Sequence, residues 1–146
     1  MKLIYKSFDE LTTKELYELL KARAEIFVVE QSCVYQDLDD IDYKSIHVFY
    51  QNDNGSIIAY LRLFQRDDDL SIIQMGRVLT LEHGVGLGGK ILHAGIEVAK
   101  NRMQAQKIYI EAQKYAAGFY EREGFIICSG DFLEDGIPHV QMELIC

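Results

Sequence analysis

Tryptophan is missing from this sequence, proline occurs once and cysteine three times. Cys33, Cys128 and Cys146 are odd in number and never spaced as CxxC. They do not describe a disulfide frame or a zinc site, so no metal is expected. They read as reduced thiols of a cytoplasmic protein. Cys33 has no surrounding motif that would mark it as a nucleophile. Basic residues are scarce: 15 Lys and Arg stand against 23 Asp and Glu, for a formal charge of −8. This argues against nucleic acid or an anionic membrane as the main partner, because phosphate surfaces need a basic footprint. It is compatible with a cationic substrate, although simple solubility is the plainer reading of the charge. No apolar run reaches the roughly 18 residues of a membrane span. The opening MKLIYKSFDELTTKEL has neither a long apolar core nor a cleavage site, so no signal peptide is expected.

What is present is ordinary globular sequence, 49% hydrophobic and 26% charged, long enough at 146 residues for one domain with a real core. Alternation predicts strands over Lys2–Phe8, Ile46–Gln51 and Ile57–Gln65. Mostly apolar Ser71–Leu81 reads as a central strand. KIYIEA at Lys107–Ala112 reads as a buried one, and Phe125–Cys128 and His139–Leu144 complete the set. Helical spacing predicts a helix capped by Thr12 or Thr13, a second piece over Ala24–Gln31, a helix from Gly88 to Met103, and a short one over Lys114–Glu123. Asn52-Asp53-Asn54-Gly55 is a hairpin turn, and Asp135-Gly136 with Pro138 marks the last connection. The expected fold is mixed α/β, a six- to seven-stranded sheet with helices on both faces. One strand–turn–helix–strand crossover supplies a parallel pair.

The turn in that crossover is His83-Gly84-Val85-Gly86-Leu87-Gly88-Gly89. A strand entering a glycine-rich turn and then a helix presents free backbone N–H groups and the positive end of the helix dipole, a seat for a diphosphate. The spacing fails the dinucleotide fingerprint, and Gly89-Lys90-Ile91 lacks the Walker hydroxyl. Four aspartates, Asp37, Asp39, Asp40 and Asp42, fall in the aperiodic stretch Ser32–Lys44. They read either as a solvated loop or as a lure for a cationic amine. No calcium-loop glycine and glutamate follow them.

The glycine turn resembles motif A of the GCN-five-related N-acetyltransferases (GNAT), with His83 where that pattern has arginine or glutamine. Phe119-Tyr120-Glu121-Arg122-Glu123-Gly124-Phe125 is similar to the same superfamily's second signature. Phe27-Val28-Val29-Glu30-Gln31, Tyr35–Asp39, Gly76-Arg77-Val78, Ala112-Gln113 and Glu134–His139 resemble its ElaA-type subfamily. The resemblance implies a central splayed parallel strand pair. It also implies acetyl-CoA as donor and a primary amine, on a small molecule or a peptide, as acceptor. The backbone of Val78, Leu79 and Thr80 would meet the pantetheine. His83, Gly84, Val85, Gly86, Leu87, Gly88 and Gly89 would hold the diphosphate, with Gln113 and Tyr120 also at the coenzyme.

A strand N–H would polarise the thioester carbonyl, and Tyr120 would protonate the departing thiolate, unless it is simply a core tyrosine. The amine must lose a proton before it attacks. Glu30 is the first candidate acceptor, His47 the second and Glu111 the third. His139 fits a hydrogen-bonding role equally well, and a water relay could replace any of them. The rival reading is a non-catalytic acyl-CoA-binding or regulatory module of the same fold. A homodimer is compatible with the sequence.

Overall fold

A computed structural model describes residues 1–32, 36–82 and 84–146. Its strands are β1 (Lys2–Ser7), β2 (Ile46–Gln51), β3 (Ile57–Gln65), β4 (Ile72–Thr80), β5 (Lys107–Gln113), β6 (Ile126–Ile127), β7 (Phe132–Glu134) and β8 (Ile137–Ile145). Its helices are α1 (Thr13–Arg23), α2 (Leu87–Asn101) and α3 (Ala117–Glu121). Among the described residues the strands form one mixed sheet in the order β1-β2-β3-β4-β5-β8-β6, with β7 on β8. Among the described residues only β4 and β5 run parallel, as the crossover through α2 requires. No helix among the described residues is long and apolar enough to cross a membrane.

Helices cover both faces. On one, Leu19 and Ala22 of α1 pack on Phe49, Ile57, Tyr60 and Leu79. On the other, Ile91, Leu92, Ala94, Ile96, Val98 and Ala99 of α2 lie over Val48, Leu61, Ile73, Met75 and Ile108. Helix α1 starts at a capping box: the Thr12 hydroxyl accepts from Glu15 N at 3.0 Å, and the Glu15 carboxylate accepts from Thr12 N at 2.8 Å. Lys6 donates to the same carboxylate at 3.0 Å, tying β1 to the helix.

Two expectations need correction. Ala24–Glu30 is not a separate helix: α1 runs into it without a break and widens there into a π-helical coil. The sheet has eight strands, one more than the upper expectation, because Phe132–Glu134 pairs with β8. Asp135 (φ 52) and Gly136 (φ 77) form the two-residue turn of that β7–β8 hairpin, the Asp-Gly signal at work.

Gly95 lets α2 lie close to the sheet: a Cβ there would come within 2.6 Å of Leu61 Cδ2 and 3.0 Å of Met75 Cε. Gly95→Val is expected to overpack this contact and lower stability by about 1–3 kcal/mol, read from equilibrium urea unfolding.

Candidate active site

Strands β4 and β5 stay together only over Ile72–Gln74 and Lys107–Tyr109. Past that point β4 keeps β3, reaching Thr80 opposite Ala59, and leaves β5. The divergence coincides with a bulge. Tyr60 faces Leu79 and Arg62 faces Gly76, so Arg77 and Val78 together stand against Leu61. Arg77 takes the left-handed backbone, φ 53. The wedge between the strands is a cleft of about 500 Å³, walled by the π-helical coil, the Asp39–Ile41 segment and the β7–β8 hairpin.

Most of the side chains singled out from sequence meet here. Val78, Leu79, Thr80, Gln113, Tyr120, Glu30, Glu111 and His139 all line the cleft. Tyr120 is half-buried, its ring edge-on to Phe119 (5.0 Å) and Phe125 (5.8 Å). Burial, with Tyr115 adding to it, pushes the Tyr120 phenol well above its usual range. Glu30 stands exposed at the rim. Gln31 and Gln113 exchange amide hydrogen bonds at 3.4 and 3.3 Å, joining the coil to the end of β5.

Among the candidate proton acceptors His47 is the exception, and that expectation is corrected. It is fully buried and lies outside the cleft lining. Its Nε2 donates to the Asp42 carbonyl at 3.0 Å, which leaves Nδ1 to accept from the Tyr60 hydroxyl at 2.7 Å. Burial pushes its pKa down, so it stays neutral. Both nitrogens are spent inside the fold, and the ring is structural.

The glycine turn follows Thr80, beyond the residues that line the cleft. Gly84 (φ 79) and Gly86 (φ 75) take conformations that other residues avoid. Gly86 caps α2 without a side-chain bond, and the first turn of α2 has no acidic residue. A Cβ at Gly84, Gly86 or Gly89 would meet nothing within 4 Å, so the turn is open to a ligand. At Gly88 it would press on the Phe119 ring at 3.3 Å. Leu87 points into the core, so only its backbone could serve, whereas Val85 is exposed. Gly86 and Gly89 also border an apolar groove of about 640 Å³ on the opposite flank of α2, beside β1. His83 and Cys33 lie outside the described residues.

A family model for the acetyltransferase (GNAT) domain matches residues 12–146. The chain belongs to the GNAT superfamily, in its ElaA-type subfamily. It is 36% identical to protein ElaA of Escherichia coli, over 92% of this chain and 90% of that one. It is 38% identical to a UPF0039 protein of Schizosaccharomyces pombe, over 99% and 97%. The crystal structure of an acyl-CoA N-acyltransferase from Pseudomonas aeruginosa superposes with a TM-score of 0.91 at 34% identity, covering 98% of this chain and 99% of that one. That of E. coli ElaA gives 0.89 at 33%, covering 97% of each. The fold and family are those of N-acyltransferases that use acyl-CoA.

In this GNAT chain the aspartate-rich segment is neither a solvated loop nor a free lure. Arg23 Nε binds Asp37 at 3.1 Å and Arg23 Nη1 binds Asp42 at 2.6 Å. Arg62 bridges Asp39 at 2.6 Å and Asp42 at 3.0 Å. Arg77 binds Asp37 at 2.8 Å and Asp39 at 3.4 Å. Only Asp40, exposed with φ 68, faces away from them. Burial alone would raise the Asp39 and Asp42 carboxyls; the guanidiniums outweigh it and hold both below the usual range. The sequence reading missed Arg23, Arg62 and Glu134. Arginine at an otherwise apolar helix or strand position, as in Leu61-Arg62-Leu63, was the available signal for the first two.

Asp42 serves two buried guanidiniums, so Asp42→Asn should cost about 3–5 kcal/mol in urea unfolding. Lowered carboxyls bind protons more weakly folded than unfolded. Their contribution is therefore complete above the unfolded carboxyl range and lost as pH falls through the folded values. Stability should drop steeply below about pH 4, and less steeply in Asp42→Asn.

Proposed function

We propose that this chain transfers an acetyl group from acetyl-CoA to a primary amine by direct attack in a ternary complex. The acceptor is a small molecule or a peptide. The observation that carries the reading is the pairing of two features. The wedge between β4 and β5 holds Tyr120, and an acid-free, glycine-capped helix start follows the same strand at Thr80. The residues fit the coenzyme: the open glycine turn offers its N–H groups to a diphosphate, and the bared edge of β4 at Val78–Thr80 can hydrogen-bond a pantetheine amide as a strand would. When bound, the coenzyme supplies an acyl group activated as a thioester.

The chain's own residues do the rest. An N–H on the free edge of β4 polarises the acyl carbonyl. Tyr120, a phenol that carries its proton at neutral pH, can hydrogen-bond a departing thiolate and deliver that proton to it. Glu30 meets an incoming ammonium at the rim. Holding donor and acceptor in one wedge converts a bimolecular encounter into an oriented one. A binding module without turnover would share the coenzyme seat and differ only in catalysis.

Thiol release from acetyl-CoA over an amine panel, alongside calorimetry with coenzyme A, tests this. Tyr120→Phe should lower kcat about a hundredfold while coenzyme affinity changes little. Equal turnover would remove Tyr120 from the chemistry. Gly86→Val should weaken coenzyme A binding about tenfold or more, because the positive φ is strained for valine and the N–H groups turn away. Tight coenzyme binding with no amine acetylated would favour the module.

A further inference from the structure

His139 sits on β8 directly opposite Gln113 and lines the cleft, although only 7% of its surface is exposed. Its Nδ1 lies 2.7 Å from the Ile137 carbonyl. A carbonyl can only accept, so Nδ1 carries the proton. In the neutral ring the lone pair is then on Nε2. That nitrogen faces the Glu134 carboxylate, Oε2 at 3.4 Å, across the β7–β8 hairpin. A bare lone pair opposite a bare carboxylate is repulsive; one proton between them removes the repulsion. The hairpin therefore builds a place for a single proton on the cleft wall.

We propose that His139 Nε2 with Glu134 is the proton acceptor for the attacking amine. The proposal rests on the N-acyltransferase reading and deepens it. The ammonium gives one proton to the His139–Glu134 pair. The freed nitrogen lone pair forms the N–C bond at the acyl carbon, and the C–S bond breaks. The sulfur leaves with that electron pair and takes a proton from Tyr120. The amide nitrogen sheds its second proton to water.

Several charged groups face the pair. Glu111 from β5 and Asp135 from the hairpin add negative charge, and Arg77 from β4 adds positive charge while bound to Asp37 and Asp39. Burial first, and the neighbouring Glu111 second, push the Glu134 carboxyl up toward proton uptake. The pair has what a general base needs: one fixed tautomer, a lone pair on a side chain that lines the cleft, and a carboxylate beside it to stabilise the imidazolium.

Two measurements decide the matter. Nitrogen-15 correlation spectra of the wild-type protein bound to coenzyme A should show His139 as the Nδ1–H tautomer; an Nε2–H tautomer would overturn the proposal. Kinetics with acetyl-CoA and spermidine, phenethylamine and a lysine peptide supply the second. His139→Gln should lower kcat/KM about a hundredfold at neutral pH for whichever amine is turned over. Glu134→Gln should act in the same direction and less strongly. Both deficits should shrink as pH rises toward the amine's own pKa, where free amine no longer needs a base. A constant deficit at every pH, or no deficit, would sink this assignment and leave the acyltransferase reading intact. Failure of the wild-type protein to acetylate any of the three would bring down both.

Discussion

The left-handed turn of the backbone at Arg77 is the constraint from which the cleft follows. With φ 53, Arg77 inserts an extra residue into β4 against β3, so β4 bends while its β3 partner still holds it. The neighbouring β5 cannot follow that bend, and the parallel ladder stops at Gln74 and Tyr109. A β-branched or bulky residue in that conformation costs of order 1–3 kcal/mol and persists only where surroundings enforce it. Here the enforcing contacts are made by the side chain itself. Arg77 Nε binds Asp37, and Arg77 Nη2 reaches the Asp37 carbonyl at 3.1 Å. The ion pairs thus hold the wall segment 36–42 against the strand and hold the strand open.

That wall is built from charge where a simpler protein would use apolar residues. Arg23 and Arg62 are 0% and 3% exposed, so each depends on its aspartates for solvation. Buried ion pairs of this kind add little net stability over well-packed apolar residues, and breaking one is costly. What they provide is direction. Three arginines from α1, β3 and β4 converge on three aspartates of one short segment, and only one placement of that segment satisfies them all. His47 and Tyr60 extend the network inward, since Nε2 of His47 reads the carbonyl of Asp42 while its carboxylate serves Arg23 and Arg62.

Local signals explain which parts were legible in the sequence. The strands around the hairpin Asn52–Gly55, the capping box at Thr12 and Glu15, and the glycine turn all speak within a few residues, and each is found where expected. The Asp-Gly pair at 135 and 136 spoke too, but its short partner strand Phe132–Glu134 is too brief to show alternation. The hairpin that carries Glu134 therefore stayed hidden. His47 looked like a candidate base because its residue type is reactive; its burial comes from β1 and β3 pairing on either side of it, a non-local fact. The aspartates misled for the same reason. Their partners are 14 to 40 residues away along the chain, and no spacing rule joins them.

Once those arginines are accounted for, the electrostatics of the site divide cleanly. Arg62 and Arg77 line the cleft, yet their charge is matched by Asp37, Asp39 and Asp42. Glu30, Glu111, Glu134 and Asp135 also line the cleft, acidic side chains that would suit the ammonium of the proposed acceptor. The proposed coenzyme would bring a diphosphate to the glycine turn of a chain with a formal charge of −8. That turn offers main-chain dipoles: glycines keep side chains out of the way, and no acidic residue occupies the first turn of α2. Oriented amides can favour an anion without adding cationic side chains that would repel an amine a few residues away. Seating the proposed polyanion on backbone and the proposed cation among side chains keeps the two recognitions apart, the first at the glycine turn beyond the cleft lining and the second within the cleft, where Asp37, Asp39 and Asp42 are already committed to arginines.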